Sequence, residues 1–343
     1  MDNKFIVKNT KSVKDVVSYM DENSIRAVAV IGDDDKFEGL FTFGDMRKYF
    51  IRGGELNSSI TKAMNPKPVV FKTPYDAEKY EKKLTVYPIV NEDGYLVDMV
   101  YDNNNLSQSE ALNDVPLVIM AGGKGTRLYP YTRILPKALI PIGELTISER
   151  IINMFKKFGC RDFRMILNYK ADMIKSYFEQ LDKDYSISFE IEDKFLGTGG
   201  GLFFLKDKIK DTFFLSNCDI LVDADLECIY KTHKMKHNKI TVVCAMRDVT
   251  IPYGVVEVDD DARLLDIKEK PEYSFLTNTG LYVIEPEVVE ELKNEEFIHM
   301  TDIAMKYVNQ GERVGIFPIS EKSWMDMGQI DEMEKMISLF PEV

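Results

Sequence analysis

Apolar residues recur along this chain with two alternating periods. Val13, Val16, Val17 and Met20 follow the i, i+3, i+4, i+7 spacing of one helix face, and Ser12 stands where it can cap that helix. A continuous apolar run at residues 27–31 (AVAVI) then predicts a strand, residues 33–35 an acidic turn, and residues 39–43 (GLFTF) a second strand. The same order returns further on. Asp76 is set to cap a shorter helix, residues 87–90 and 96–100 predict strands, and Glu92-Asp93-Gly94 the turn between them. Two hairpins with matching turns, each preceded by a helix, predict one diverged repeat, with copies at residues 1–55 and 56–104 joined through residues 63–71.

The pattern breaks at residues 102–116 (DNNNLSQSEALNDVP), whose composition reads as a linker or loosely packed connector. The expected division is therefore 1–113 and 114–343. From residue 117 strand and helix alternate: strands at 117–120, 163–167, 187–191, 213–215 and 240–244, and helices at 148–158, with Ile151, Ile152 and Phe155 on one face, and 171–181. Strands separated by helices predict an α/β fold, an open, mostly parallel, Rossmann-like sheet behind a small α+β module. Ligands of such sheets bind beyond the carboxyl ends of the strands.

Composition narrows the function. Across 343 residues, 44 Lys and Arg face 57 Asp and Glu, a formal net charge of -13. Such a surface repels nucleic acid and anionic lipid, so neither is an expected partner. Cys160, Cys218, Cys228 and Cys244 form no C-x-x-C pair, which speaks against a disulfide framework or zinc site and for reduced thiols in a cytoplasmic protein. The start, MDNKFIVKN, has no apolar leader, and no apolar run approaches a membrane span. His233, His237 and His299 gather with no carboxylates or thiols. The first two read as residues of a solvent-facing helix.

The sharpest chemical signal is residues 120–139, MAGGKGTRLYPYTRILPKAL. Gly122, Gly123 and Gly125 allow backbone N–H groups to approach a polyphosphate, Arg127 offers a planar fork to phosphate oxygens, and Lys137 adds a mobile cation behind Pro136. The spacing is neither a Walker A loop nor a dinucleotide fingerprint. It resembles the G-G-x-G-T-R-L-x-P-x-T-x-x-x-P-K-x-L signature of the sugar-1-phosphate nucleotidyltransferases, matching every fixed position, with Tyr131 where leucine is usual. The resemblance implies a GT-A-like nucleotidyltransferase sheet and covers about two-thirds of the chain.

Several site roles follow from that resemblance. Met120, Gly122, Gly123, Gly125 and Thr126 would bind nucleotide, with Arg127 and Lys137 catalytic. Asp219, ending an apolar strand, and Asp326, in Trp324-Met-Asp-Met-Gly328, would hold Mg²⁺. Gly197 and Gly199, in the L-G-T-x-G loop, would flank base and ribose, and Glu192 is placed to accept from a guanine N1–H and amino group. Gly254, in Y-G-V-V-E, Glu269 and Lys270, in E-K-P, and Asn278 and Thr279, in N-T-G-L-Y, would form the sugar-phosphate side.

The repeated module resembles a tandem CBS pair. Thr42 and Asp45, in GLFTFGD, match the family's ligand positions, whereas the second copy has Val100 and Asn103 there. Such modules sense adenine nucleotides and often dimerise, so a regulatory nucleotide and a homodimer are expected. The combination resembles the bacterial glucosamine-1-phosphate guanylyltransferases of legionaminic acid synthesis. The implied reaction joins GTP to glucosamine 1-phosphate. Mannose-1-phosphate guanylyl transfer, glucose-1-phosphate thymidylyl or uridylyl transfer, and a nucleotide-sensing regulatory subunit are the alternatives.

Overall fold

The structure is a computed structural model that describes residues 5–23, 25–73, 86–101 and 110–340. The helix expected from Asp76 and half of the 102–116 connector lie outside those residues. Packing divides the chain into two units, Met1–Ser107 with Asp248–Ser274, and Gln108–Arg247 with Phe275–Val343.

The first unit opens with β1 (Ile6–Lys8), α1 (Val13–Glu22), β2 (Ala27–Ile31), β3 (Phe37–Thr42) and α2 (Phe43–Ile51), and continues with β4 (Val86–Val90) and β5 (Leu96–Tyr101). The apolar face of α1 is sealed: Val13, Val16, Val17 and Met20 are at most 1% exposed. Ser12 caps the helix, its Oγ accepting from the Asp15 N–H at 3.0 Å while Asp15 accepts from the Ser12 N–H. β2 runs parallel to β1 and antiparallel to β3, and β4 pairs antiparallel with β5. Both hairpins slip register at the same place, at Val30/Ile31 and at Ile89/Val90. Ala27, Ala29 and Leu40 of the first share a core with Val86 and Met99 of the second. Both hairpins expected from periodicity are thus present. The helix α2 was not foreseen. Thr42 is its N-cap and forms a capping box with Asp45, a T-x-x-D spacing that signals a helix start.

The second unit contains β6 (Leu117–Ala121), α3 (Tyr131–Ile134), β7 (Pro141–Ile142), β8 (Leu145–Thr146), α4 (Ile147–Lys156), β9 (Asp162–Leu167), α5 (Ala171–Gln180), β10 (Ser186–Ile191), β11 (Phe213–Asn217), β12 (Ile220–Val222), α6 (Leu226–Lys236) and β13 (Ile240–Thr250). An arm follows, β14 (Val255–Val258) and β15 (Leu264–Lys268), which belongs to the first unit. The chain then re-enters the second unit along β16 (Glu272–Ile284) and completes it with α7 (Glu287–Glu290), α8 (Met300–Asn309), β17 (Val314–Ser320), β18 (Trp324–Asp326) and α9 (Ile330–Ser338).

Seven strands form the main sheet in the order β10-β9-β6-β11-β16-β13-β17. The first four are parallel, β16 is antiparallel to β11, and β13 is parallel to β17. β6 is apolar throughout because both faces are covered. Its Leu117 and Ile119 pack with Ile151, Phe155, Ile174 and Phe178 on one side, and Val118 and Met120 with Leu202, Met300 and Ile303 on the other.

Two local expectations are corrected. Leu112 and Val115 are core residues, so the connector is already packed there; they are two apolar positions in a polar segment. His233 does not face solvent: it is fully buried, with Nδ1 2.8 Å from Thr241 Oγ1 and Nε2 3.1 Å from Glu285 Oε1. Among the described residues no helix is long and apolar enough to cross a membrane.

Candidate active site

The glycine-rich loop leaves the carboxyl end of β6 and is held at both ends. Gly125 takes a left-handed conformation (φ 62°), which turns the chain into a short helical turn, Thr126–Leu128, that leaves Arg127 exposed. Thr132 donates its hydroxyl to the Gly125 carbonyl at 2.8 Å. From the end of β9, Tyr169 donates its N–H to the Gly122 carbonyl at 3.3 Å and its hydroxyl to the Thr132 carbonyl at 3.1 Å. The Lys170 ammonium donates to the carbonyls of Arg133 and Ile134, both at 2.6 Å. Lys137, 8% exposed, then forms an ion pair with Asp219.

Asp219 follows β11, and the chain turns at once into β12. That strand pairs antiparallel with β18, with Ile220 opposite Asp326, while the Met327 N–H donates to the Asp219 carbonyl at 2.8 Å. This register brings together two carboxylates far apart in sequence. Burial and then the Asp219 charge raise the Asp326 carboxyl, while Lys137 and Arg127 draw it back. Among the described residues no three His, Cys, Asp or Glu side chains gather as a metal cage. A pair of carboxylates suits Mg²⁺, which keeps waters and takes substrate phosphate oxygens rather than an all-protein shell.

Glu192 lies just beyond β10. Its N–H donates to the Leu167 carbonyl at 2.8 Å, and its carbonyl accepts from Asn168 Nδ2 at 2.7 Å, so its backbone is pinned. The side chain is 2% exposed, and neither carboxyl oxygen has a hydrogen-bond partner. It fits only because its neighbours lack side chains. A Cβ on Gly122 would stand 2.7 Å from Oε2, and one on Gly201 2.3 Å from Oε1. Burial pushes the carboxyl up to about 7; the Leu196 N–H, outside hydrogen-bond geometry, draws it down slightly. The loop carrying Gly197 and Gly199 is tied to the start of α8: Gly199 donates to the Ile298 carbonyl at 3.0 Å, and Met300 donates to Thr198 Oγ1 at 3.1 Å.

Arg127, the turn after β11, the Thr198 loop, the middle of β16, the α8 start and β18 line a cleft of about 350 Å³, the size of a small-molecule site. Glu192 and Lys137 are not among its lining residues. Of the residues expected from sequence, Arg127, Asp219, Asp326, Asn278 and Thr279 line it. Asn278 donates to the Tyr282 hydroxyl at 2.6 Å, but the Thr279 hydroxyl donates to the Val243 carbonyl at 2.8 Å and is spent on the backbone. The Met120 side chain sits in the core, which leaves only its main chain to meet a ligand. Gly254 and Glu269 are neighbours on the arm: a Cβ on Gly254 would lie 3.0 Å from Glu269 Oε2. Lys270, left-handed at φ 45°, follows them there. Thr42 and Asp45 lie in the first unit, bonded to one another.

The cleft also takes in residues that the sequence reading did not single out: Thr198, Asn217, Tyr282, His299, Thr301 and Trp324. Thr198, Tyr282 and Trp324 stand inside the L-G-T-x-G, N-T-G-L-Y and W-x-D-x-G stretches and were legible there. His299 and Thr301 come from the α8 start, which no local pattern ties to a site. The Trp324 Nε1 is buried without a hydrogen-bond partner.

Comparison with known proteins agrees with this geometry. Residues 117–340 match the nucleotidyl transferase family and residues 1–52 the CBS domain. The chain is similar to the UTP–glucose-1-phosphate uridylyltransferase of Synechocystis sp., 30% identical over 63% of this chain and 60% of that protein. It is likewise similar to the bifunctional protein GlmU of Methanococcus aeolicus (30%, covering 62% and 51%) and to a mannose-1-phosphate guanyltransferase of Debaryomyces hansenii (31%, covering 62% and 60%). The chain thus spans between about half and three-fifths of the length of these relatives. In fold it resembles HddC from Yersinia pseudotuberculosis, solved with GMP-PN, at a TM-score of 0.52 and 21% identity over 66% of this chain and 99% of that one. A signature loop, a carboxylate pair and a family match over one continuous stretch agree, and the chain belongs to the nucleotidyl transferase family, with a CBS domain ahead of the transferase.

Proposed function

We propose that this protein transfers a nucleotidyl group from a nucleoside triphosphate to a hexose 1-phosphate, GTP and glucosamine 1-phosphate being the preferred pair. The products are pyrophosphate and a nucleotide sugar for surface-glycan or nonulosonic acid synthesis. The observation that carries the reading is the Asp219–Asp326 pair, with Lys137 and Arg127 beside it, at the strand ends where the glycine loop begins.

In this reaction a phosphate oxygen of the sugar attacks the α-phosphorus in line, and the bond to the β-phosphate bridge breaks as pyrophosphate leaves. The attacking oxygen is already ionised, so no general base is needed, and catalysis reduces to positioning and charge neutralisation. Mg²⁺ held by Asp219 and Asp326 would supply charge neutralisation at the α-phosphate. Arg127 and the loop N–H groups of Gly122, Gly123, Gly125 and Thr126 receive the pyrophosphate charge. Lys137 offsets charge beside Asp219. On the sugar side Lys270 aligns the phosphate, Glu269 accepts from sugar hydroxyls, Gly254 leaves room for the ring, and Asn278 and Thr279 form the wall.

Glu192 supports guanine. A buried carboxylate with two idle acceptors is complementary to the adjacent N1–H and amino donors of guanine. Uracil and thymine offer one donor flanked by repelling carbonyls. Mannose 1-phosphate is the second reading, favoured by the similarity to mannose-1-phosphate guanyltransferases. A CBS-bound nucleotide at Thr42 and Asp45, acting on a homodimer, belongs to the same proposal.

Pyrophosphate release with Mg²⁺, crossing five nucleoside triphosphates with glucosamine, N-acetylglucosamine, mannose and glucose 1-phosphates, tests it. The expected outcome is release confined to GTP and one sugar. Turnover with UTP or dTTP alone would discard the guanine assignment. Silence across the grid, in folded protein that binds nucleotide, would make the chain a regulatory subunit.

A further inference from the structure

The arm is held at its roots by the N-terminal module. It comprises Asp248–Ser274, from the last residues of β13 to the first of β16. Asp248 accepts from the Ser274 hydroxyl, which joins the two stems. Its other carboxyl oxygen accepts from the Ser18 hydroxyl of α1 at 3.2 Å. One turn earlier on the same helix, Lys14 Nζ stands 3.0 Å from Glu272 Oε2. Positions i and i+4 share a helix face, so a single polar stripe of α1, opposite its buried apolar stripe, grips both stems.

The stems are the last residues of β13 and the first of β16, which are neighbouring strands. The stems exchange two rungs, Ile251 N–H to the Pro271 carbonyl at 3.0 Å and Lys270 N–H to the Tyr253 carbonyl at 3.3 Å. Beyond them β14 and β15 form a two-stranded ladder whose Val256 and Ile267 are 58% and 54% exposed. An isolated two-stranded hairpin is marginal in water, so its placement depends on its attachments. Glu272 follows Glu269 and Lys270 across Pro271 alone, and that proline has a locked φ. A displacement at Glu272 is therefore passed to Lys270 with little slack.

We propose that Lys14 and Ser18 of the N-terminal module are positioning residues for the sugar-phosphate half of the reaction. Through Glu272 and Asp248 they fix the stems of the arm, and with them Glu269 and Lys270. The module is then a working part of the transferase as well as a place for a regulatory ligand. The proposal rests on the reading of Glu269 and Lys270 as sugar-phosphate groups.

The test uses the full chain with Lys14→Glu, Glu272→Lys and the double exchange, beside Ser18→Ala and its conservative partner Ser18→Thr. Each single charge reversal is expected to raise the KM for the sugar 1-phosphate about two- to fivefold and to leave the KM for the nucleotide unchanged. The exchanged pair and Ser18→Thr should recover most of the loss. Equal rises in both KM values, no recovery in the exchange, or a lower melting temperature with an unchanged sugar KM would overturn the proposal. Hydrogen exchange at the Ile251 and Lys270 amides gives a readout free of activity. It should quicken in the single variants and slow again in the exchange, and unchanged rates would overturn the positioning role. Absence of turnover in the unmodified protein would instead remove the transferase reading.

Discussion

Glu192 is buried with neither of its carboxyl oxygens hydrogen-bonded. Burial penalises the charge and pushes this carboxyl up to about 7, which the Leu196 N–H offsets only in part. A guanine edge would provide two donors and favour the anion, so GTP affinity should weaken as pH falls below about 7, by up to about tenfold per unit. Glu192→Gln should bind GTP about tenfold or more weakly above that pH. It should also lose the protein's part of the pH dependence and gain on UTP, because an amide offers one donor and one acceptor. Titration calorimetry between pH 6 and pH 9, with the variant subtracting the ionisation of the nucleotide itself, reads this. Parallel curves for the two proteins would rule the contact out. Stability should move the opposite way. A carboxyl raised above its ordinary 4.5 favours folding at low pH and loses that contribution as pH rises toward about 7. Glu192→Gln should therefore melt higher than the parent at pH 8 and alike near pH 4.

At the scale of elements, polar groups lock the far end of the sheet as the site residues shape the near end. Glu285, next after β16, accepts from Lys234 Nζ and Thr212 Oγ1, each at 2.8 Å, and bonds His233 of α6. The same cluster reaches β13, where Thr241 Oγ1 accepts from Asn238 Nδ2 at 2.8 Å, and Arg313 donates to Asn238 Oδ1. Burial alone would raise Glu285, but hydrogen bonds from His233, Lys234 and Thr212 hold it at about 2. A depressed carboxyl stabilises the fold above its ordinary value of 4.5, and that contribution drains away as pH falls from there to about 2. Glu285→Gln should cost on the order of 2 kcal/mol at pH 7, and the difference should close near pH 2 to 3. Urea melts read on the single tryptophan, Trp324, follow this directly. A constant gap at every pH would mean that the carboxylate charge is not what the cluster holds. His233 of α6 shows why the sequence misled here: a polar stretch looks solvent-facing until Glu285 and Thr241 close over one of its residues.

At the scale of the whole molecule, the N-terminal module carries the regulatory prediction. Thr42 and Asp45 satisfy each other as a capping box, so a nucleotide at that place must share or displace an existing hydrogen bond. A scan of the full chain with AMP, ATP, GTP and GDP should show a melting shift for an adenine nucleotide that Asp45→Asn reduces. A shift only with GTP or GDP, unaffected by Asp45→Asn, would assign all binding to the transferase. The sequence alone determined the alternation of elements, the duplicated hairpins and the glycine-rich signature, because helix and strand periods and phosphate loops are written over short spans. Through the family resemblance it also named Asp219 and Asp326 as candidate ligands, but their proximity comes from one antiparallel register between β12 and β18. Only tertiary structure decided that Glu192 lies unpartnered between Gly122 and Gly201, that α8 lends His299 and Thr301 to the cleft, and that α1 grips the roots of the arm. Those arrangements depend on packing between segments distant in the chain, whose hydrogen bonds leave no periodic trace in either partner.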